Sequence, residues 1–285
     1  MTRYLDCRHV MDYLAIGHVT EDLWPDGKTP GGPVMYASRT ALAWLDHVGV
    51  LTAAGDSFDS ATAFPGVDVR LIPAPSTTQF RNIYVNGGRR QIVWPCPVRI
   101  TAGHLTDEML GSRIIHLAPV CNEVDAGIVS RIPPGVFVGV TPQGWLRRWD
   151  EQGAVYAAGW EDGGVILPRA NATVLSIDDV AGDWDIVRNW ASQTSILVVT
   201  QAAEGCTLFL NGAPIHVPAP HVAQVEPTGA GDIFAASLFI ALQQGCEPAR
   251  ACAIANCIAA NSVTFPRGQG FPTRQDAERC AQAVV

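Results

Sequence analysis

The stretch Val225-Glu226-Pro227-Thr228-Gly229-Ala230-Gly231-Asp232 runs directly into Ile233-Phe234-Ala235-Ala236-Ser237-Leu238-Phe239-Ile240-Ala241-Leu242. Polar, glycine-rich chain turns there into an apolar helix, and the break is where chemistry is easiest to place. The Thr228 hydroxyl can cap the first turn by accepting a backbone N–H. Gly229 and Gly231 keep side chains away, so a ligand meets bare amides. A helix start carries unpaired N–H groups and about half a positive charge, which suits an anion. Asp232 then has two readings. It caps the helix, or it takes a proton from a nucleophile that attacks the bound anion.

With 285 residues, the chain is expected to form one large α/β domain, residues 1–285, with a core burying roughly three quarters of the extended-chain surface. The net charge of −8 argues against general binding to nucleic acid or an acidic membrane. Met1 to His9 contain no apolar leader core, and no apolar run is long enough to span a bilayer. The eight cysteines form no CxxC pair, and Cys252 and Cys257 read as small core residues of a helix. A reduced, cytoplasmic protein is therefore expected. The seven histidines show no HxxxH or HExxH spacing, so no dedicated zinc site is expected.

Tyr13 to Val19 read as a buried first strand ending in a polar turn, Thr20-Glu21-Asp22. By position alone Asp22 is either a loop residue or a substrate contact. Gly31-Gly32-Pro33 precede an amphipathic run over 34–48, which repeats the logic of close backbone approach followed by amide donors, although a plain turn explains a Gly-Gly pair equally. Strands are expected at 50–53, 69–72, 78–85 and 89–94, with Asn86-Gly87-Gly88 as a hairpin signal. A hairpin region inside a strand–helix alternation suggests a protruding sheet, such as a lid, built from segments of about 18–32 and 69–100. Further strands are expected at 113–117, 136–140, 173–175 and 195–199, a helix over 183–194, and a hairpin over 206–217. Pro248 opens a late helix rich in alanine. Trp145 and Trp149 are read as core residues before base-stacking ones.

The early Gly31-Gly32 helix, the β-lid and the late Thr228-Gly229-Ala230-Gly231-Asp232 signature together resemble the ribokinase-like sugar kinases, the PfkB family. The resemblance implies a doubly wound, mostly parallel central sheet with helices on both faces and a small β-sheet lid. It implies that the amides of Gly229, Ala230 and Gly231 form the anion hole for the transferred phosphoryl group, and that Asp232 is the catalytic base. Asp22, Gly31, Gly32 and Tyr36 would line the acceptor side. Thr200, Ala202, Gly205, Thr228 and Asn256 would line the nucleotide side, with ATP as donor. Asp179 would hold Mg²⁺ through water, and in some relatives a monovalent cation assists. The partners implied are a small polyol and ATP, in a monomer or a homodimer formed through the lid.

Three positions depart from the family pattern. Tyr36 stands where Asn usually follows the Gly-Gly pair. Ser176-Ile177-Asp178-Asp179 replaces NxxE, and Ala202 replaces a glycine of TxGxxG. A branch resembling inositol-type kinases also carries Tyr after Gly-Gly, a similar lid segment over 77–84, and Pro142-Gln143-Gly144-Trp145-Leu146-Arg147. The expected activity is phosphoryl transfer from ATP to a hydroxyl of a small sugar or cyclitol. A nucleoside kinase of the same fold and a non-catalytic sugar- or nucleotide-binding homologue are the alternatives.

Overall fold

The computed structural model describes residues 11–85 and 88–284. Met1 to His9 and the Asn86-Gly87 turn lie outside the described residues. In chain order the first half holds β1 (Tyr13–Ile16), β2 (Thr20–Trp24), β3 (Gly27–Gly31), α1 (Pro33–Ala41), β4 (Val48–Ala54), α2 (Ser60–Ala63) and β5 (Asp68–Pro73). It continues through β6 (Thr78–Val85), β7 (Gly88–Trp94), α3 (Asp107–Leu110), β8 (Ile114–Leu117) and β9 (Phe137–Val140). Next come β10 (Arg147–Trp149), β11 (Val155–Ala157), α4 (Gly163–Ile166), β12 (Ala172–Ser176) and α5 (Trp184–Ala191). The last part holds β13 (Ile196–Thr200), β14 (Cys206–Leu210), β15 (Ala213–Val217), α6 (Ala230–Gln243), α7 (Pro248–Ser262) and α8 (Arg274–Ala283).

Nine strands form the central sheet in the order β15-β14-β13-β12-β9-β8-β1-β4-β5. The pairings from β13 across to β5 are parallel, and the β14–β15 hairpin closes one edge antiparallel. The central strands read as continuous apolar runs because both faces are covered. Alternate residues feed two cores. Tyr13 and Ala15 of β1, Ile114 of β8 and Val198 of β13 pack under α1, α6 and α7. Leu14, Ile16, Ile115, Leu117, Leu197 and Val199 pack on the other face with Trp145, Trp160 and Trp190. The doubly wound, mostly parallel sheet with helices on both faces follows directly.

A separate four-stranded sheet has the order β3-β2-β6-β7. It differs from the expected lid in two ways. Thr20-Glu21-Asp22 is strand and not turn, pairing antiparallel with β3 and parallel with β6. Residues 69–72 belong instead to β5, the edge of the central sheet, paired in parallel with β4. The exposed, charged alternation of β5 suits an edge position. The helix expected over 34–48 is shorter, ending at Ala41, and that expected over 183–194 is shortened to α5, Trp184–Ala191. Cys257 is not a lone core thiol: it is disulfide-bonded to Cys280, joining α7 to α8. Cys252 is fully buried, as expected.

The chemistry-bearing helix is α6. Nine of its residues are buried, and Ile, Leu and Phe side chains contribute roughly 1.5–3 kcal/mol each on full burial. Its seat on the sheet is a notch at Gly139, where an added Cβ would lie 2.4 Å from the Phe239 ring. Phe239 also meets His116 edge-on at 4.9 Å. His116 is held between Tyr13 Oη at 2.7 Å and Thr141 Oγ1 at 3.0 Å, and burial lowers its pKa to about 3, so it is a neutral packing element. No described helix is long and apolar enough to cross a membrane.

Candidate active site

Gly229, not Thr228, is the N-cap of α6, with φ of 84°. The Thr228 hydroxyl donates instead to Glu226 Oε1 at 2.6 Å, and the Thr228 N–H reaches the same oxygen at 3.1 Å. Glu226 thereby ties down the loop ahead of the helix and leaves the first amides of α6 without a side-chain cap. A left-handed glycine followed by uncapped N–H groups is the geometry of an anion cradle.

Asp232 lies in the first turn of this helix. The residue is partly buried. Burial pushes its pKa up to about 7, Arg147 opposes that rise, and Asp179 adds to it. The carboxyl therefore sits where a general base at neutral pH is most effective. Arg147 also pulls down Asp179, whose pKa is raised by burial. Asp232, Asp179 and Arg147 are thus within electrostatic reach of one another. Asp179 closes a capping box with Ser176, its Oδ2 accepting the Ser176 N–H at 2.9 Å. The short Ser-Ile-Asp-Asp turn fixes one carboxylate oxygen, and the Gln143 side chain also hydrogen-bonds the carboxylate.

Among the residues expected on the acceptor side, Gly32 (φ 91°) opens α1, with Pro33 in its first turn. Close approach explains the Gly-Gly pair. A Cβ on Gly31 would lie 2.8 Å from Asp22 Oδ2 and 2.9 Å from Thr20 Oγ1. A Cβ on Gly32 would lie 2.9 Å from the His18 carbonyl oxygen. Tyr36 is buried, stacks on Phe271 at 5.5 Å, and lies so near Gly229 that a Cβ there would be 2.3 Å from its ring. Its phenol pKa is raised by burial first, then by Asp22, Asp232 and Glu226. Asp22, Tyr36 and Asp232 therefore converge, although they come from β2, α1 and α6. We expect Gly31→Ala to displace the Asp22 carboxylate and raise the acceptor KM about tenfold or more, with the donor KM nearly unchanged; steady-state kinetics in both substrates measures the split.

Two residues at this site were not legible as site residues. Arg267 lies 3.3 Å over the Trp24 ring of the small sheet and 3.9 Å from Glu226. It joins the sheet to the loop ahead of α6. Arg147 stood in the sequence only as part of a branch-like segment, and no local pattern assigns it to the cleft. Arg147→Met should move the acid limb of the kcat/KM profile to higher pH, because the guanidinium holds the Asp232 pKa down. A pH–rate series on both proteins measures the displacement.

Of the residues expected on the nucleotide side, Thr228 stays in the loop ahead of α6, and the other four gather around β13, β14 and α7. Thr200 Oγ1 donates to the Leu175 carbonyl at 3.4 Å. Ala202 keeps a left-handed φ of 50°, so the backbone form that glycine favours survives without the glycine, at a cost of about 1–2 kcal/mol. Gly205 (φ 90°) admits no side chain, since a Cβ would lie 2.3 Å from the Val217 carbonyl oxygen. Asn256 is buried and its Nδ2 donates to the carbonyls of Val217 at 3.0 Å and Pro218 at 3.3 Å. Its amide donors thus hold the chain after β15, a structural task the sequence did not reveal. Trp145 is a core residue, stacked on Trp160 at 5.8 Å with Nε1 donating to the Val124 carbonyl.

Residues 181–274, which include the glycine signature and α6, match the pfkB family carbohydrate kinase profile. A cytidine kinase of Thermococcus kodakarensis is 23% identical over 258 residues, 83% of this chain and 90% of that protein. The inositol 3-kinase of Zea mays is 31% identical over 127 residues, 44% of this chain and 33% of that protein. A pyrophosphate-dependent kinase in the ribokinase family, solved with a pyrophosphate analogue and myo-inositol, superposes with a TM-score of 0.75 at 20% identity, covering 93% of this chain and 99% of that one. Ribokinase from Thermotoga maritima superposes with a TM-score of 0.69 at 19% identity, covering 95% and 99%. The glycine signature at the start of α6, the shared fold and the match over residues 181–274 agree: the chain has the ribokinase-like fold, and its segment 181–274 is similar to the pfkB family of carbohydrate kinases.

Proposed function

We propose that the protein transfers the γ-phosphoryl group of ATP to a hydroxyl of a small sugar or cyclitol. One observation carries this reading: a carboxyl with a pKa of about 7 stands in the first turn of the glycine-opened helix α6. Asp232 takes the proton of the acceptor hydroxyl, and the uncapped amides of Gly229, Ala230 and Gly231 receive the negative charge of the moving phosphoryl group. Asp22 orients the acceptor, with Gly31 and Gly32 giving it close access to the backbone. Arg147 offsets the charge gathered between Asp232 and Asp179. Tyr36 fills the floor beside Gly229, where the family usually presents an Asn, which favours a ring-shaped polyol over the usual sugar. The likeness to the maize inositol 3-kinase supports the cyclitol class.

Mg²⁺ fits the residues present. Asp179 is a hard oxygen donor with one oxygen committed to Ser176 N–H, beside a second carboxyl. That arrangement suits a cation that keeps most of its water. Bound there, Mg²⁺ would neutralise phosphate charge.

A coupled assay with a panel of cyclitols, sugars and nucleosides, each against ATP and pyrophosphate, tests the reading. Turnover of a cyclitol or sugar with ATP is the expected result. Turnover of nucleosides alone would replace the acceptor, and the 90% coverage of the cytidine kinase makes that the second reading. No turnover with any pair would leave a binding protein. On acceptor binding, the amides of β6 and β7 are expected to exchange more slowly, since a kinase lid must exclude water; unchanged hydrogen exchange in both strands would remove the lid role.

A further inference from the structure

Two chain segments far apart in sequence bring metal-binding side chains together beside the first residue of β6. His18 follows β1, and Cys121 and Glu123 follow β8; all three are buried. A ring nitrogen of His18, the Cys121 Sγ and a carboxylate oxygen of Glu123 lie within 4.8 Å of one another. Thr78, the first residue of β6, completes the cluster. Its Oγ1 is 3.1 Å from His18 Nδ1 and 4.0 Å from Cys121 Sγ, and it accepts the Cys96 N–H at 3.0 Å. Nε2 of His18 is buried without a hydrogen-bond partner.

The hydrogen-bond roles define the donor set. Thr78 Oγ1 accepts the Cys96 N–H and lies within reach of both His18 Nδ1 and the Cys121 sulfur. With Nδ1 beside Thr78 Oγ1, the buried Nε2 is the ring nitrogen left without a hydrogen-bond partner. The Glu123 carboxylate is oriented by three backbone N–H groups, from His18 at 2.7 Å, Val120 at 2.9 Å and Cys121 at 2.8 Å. Metal-bound histidines characteristically donate their second N–H to such an outer partner.

We propose that His18, Cys121 and Glu123 bind one zinc-class divalent cation, which ties the base of the small sheet to the ends of β1 and β8. Imidazole, thiolate and carboxylate together select a borderline-soft ion such as Zn²⁺ over Mg²⁺ or Ca²⁺. Tetrahedral zinc with bonds of about 2.0–2.3 Å sets its ligands roughly 3.3–3.8 Å apart. Closing the cluster from 4.8 Å or less thus takes side-chain shifts of about an ångström. The bond forms between Cys121 Sγ and the cation, and the thiol proton leaves to solvent. Residues 105 apart in the chain supply this set, so no HxxxH-type spacing announces it. None of the three belongs to the residues placed at the phosphoryl-transfer site.

The full chain, stripped with a chelator, is titrated with Zn²⁺ or Co²⁺ alone. One equivalent should bind, with about one proton released and a thiolate-to-Co²⁺ charge-transfer absorption. The melting temperature should rise by roughly 5–10 °C at saturating metal. Cys121→Ser should abolish the absorption and weaken binding about 100-fold, while Cys252→Ser changes neither. Removing Glu123 would strand three amides and can prevent folding, so His18→Gln serves as the second variant, with weakened binding expected. Absence of binding, or a band and affinity that survive Cys121→Ser, would overturn the site.

Discussion

Asp232→Asn is expected to lower kcat by about 10²–10⁴-fold, with both substrates binding within a few-fold of wild type. The amide keeps the shape and one oxygen but cannot take a proton. The loss should therefore appear in kcat and kcat/KM together, the mark of an interaction made in the transition state. Single-turnover rates with titration calorimetry on the variant separate chemistry from binding; an unchanged kcat would remove Asp232 as base. In the wild type, activity should climb with pH through about 7, since the base works deprotonated and its pKa stands at about 7. The same substitution has a stability signature of opposite sense. The folded pKa is raised above the ordinary aspartate value of 3.8, so the folded state binds the proton more tightly than the unfolded chain. The associated stability is present below about pH 4 and is lost as pH rises through 7. Asp232→Asn should accordingly be more stable than wild type at pH 8, by about 1–3 kcal/mol once the partial exposure of the residue is discounted. Near pH 4 the two proteins should unfold alike. Urea melts at the two pH values measure this, and a gain in stability coupled to a loss of rate is the trade expected of a strained catalytic group.

Gly229→Ala is the second large effect. The position holds φ of 84°, where an L side chain costs about 1–2 kcal/mol. Its Cβ would also lie 2.3–2.6 Å from three ring atoms of Tyr36. That ring cannot swing aside freely, because it is stacked on Phe271, whose other neighbour is the Arg39 guanidinium at 3.5 Å. Overpacking of this kind adds about 1–3 kcal/mol. The variant should lose roughly 2–5 kcal/mol of stability and, in what still folds, at least about 100-fold in kcat/KM as the anion cradle is displaced. Gly231→Ala is the internal control. A Cβ there meets nothing, and a helical Gly-to-Ala change is worth up to about 1 kcal/mol in favour of the fold. Denaturant midpoints of the two variants should therefore move in opposite directions.

How much of this could be read from the chain divides by the range of the interaction. The apolar run after Asp232 and the buried strands were legible because their periodicity is local. The same holds for the Gly229-Ala230-Gly231 amides, which depend only on a glycine followed by a helix. The membership of β5 was not legible: residues 69–72 look like any half-apolar strand, and pairing with β4 or with β6 is a choice between distant partners. The capping role of Thr228 failed because Glu226, two residues back, offers its hydroxyl a stronger, charged acceptor. Asn256, expected on the nucleotide side, spends its amide on backbone carbonyls, which only the packing of α7 against Val217 reveals. Cys257 found Cys280 because α7 and α8 lie side by side.

From the sequence alone came the alternation that makes a doubly wound sheet, the glycine-opened helix, and the acid at its start. Each is a property of a few consecutive residues and of backbone geometry. Tertiary structure alone decided that Asp22 and Tyr36 meet that acid, and that Arg147 and Asp179 tune it. It also decided that Arg267 reaches across to Trp24, and that His18, Cys121 and Glu123 share one buried spot. These meetings join residues tens to hundreds of positions apart. They exist only after two hydrophobic cores, one on each face of the sheet, have brought the strand ends to a common edge.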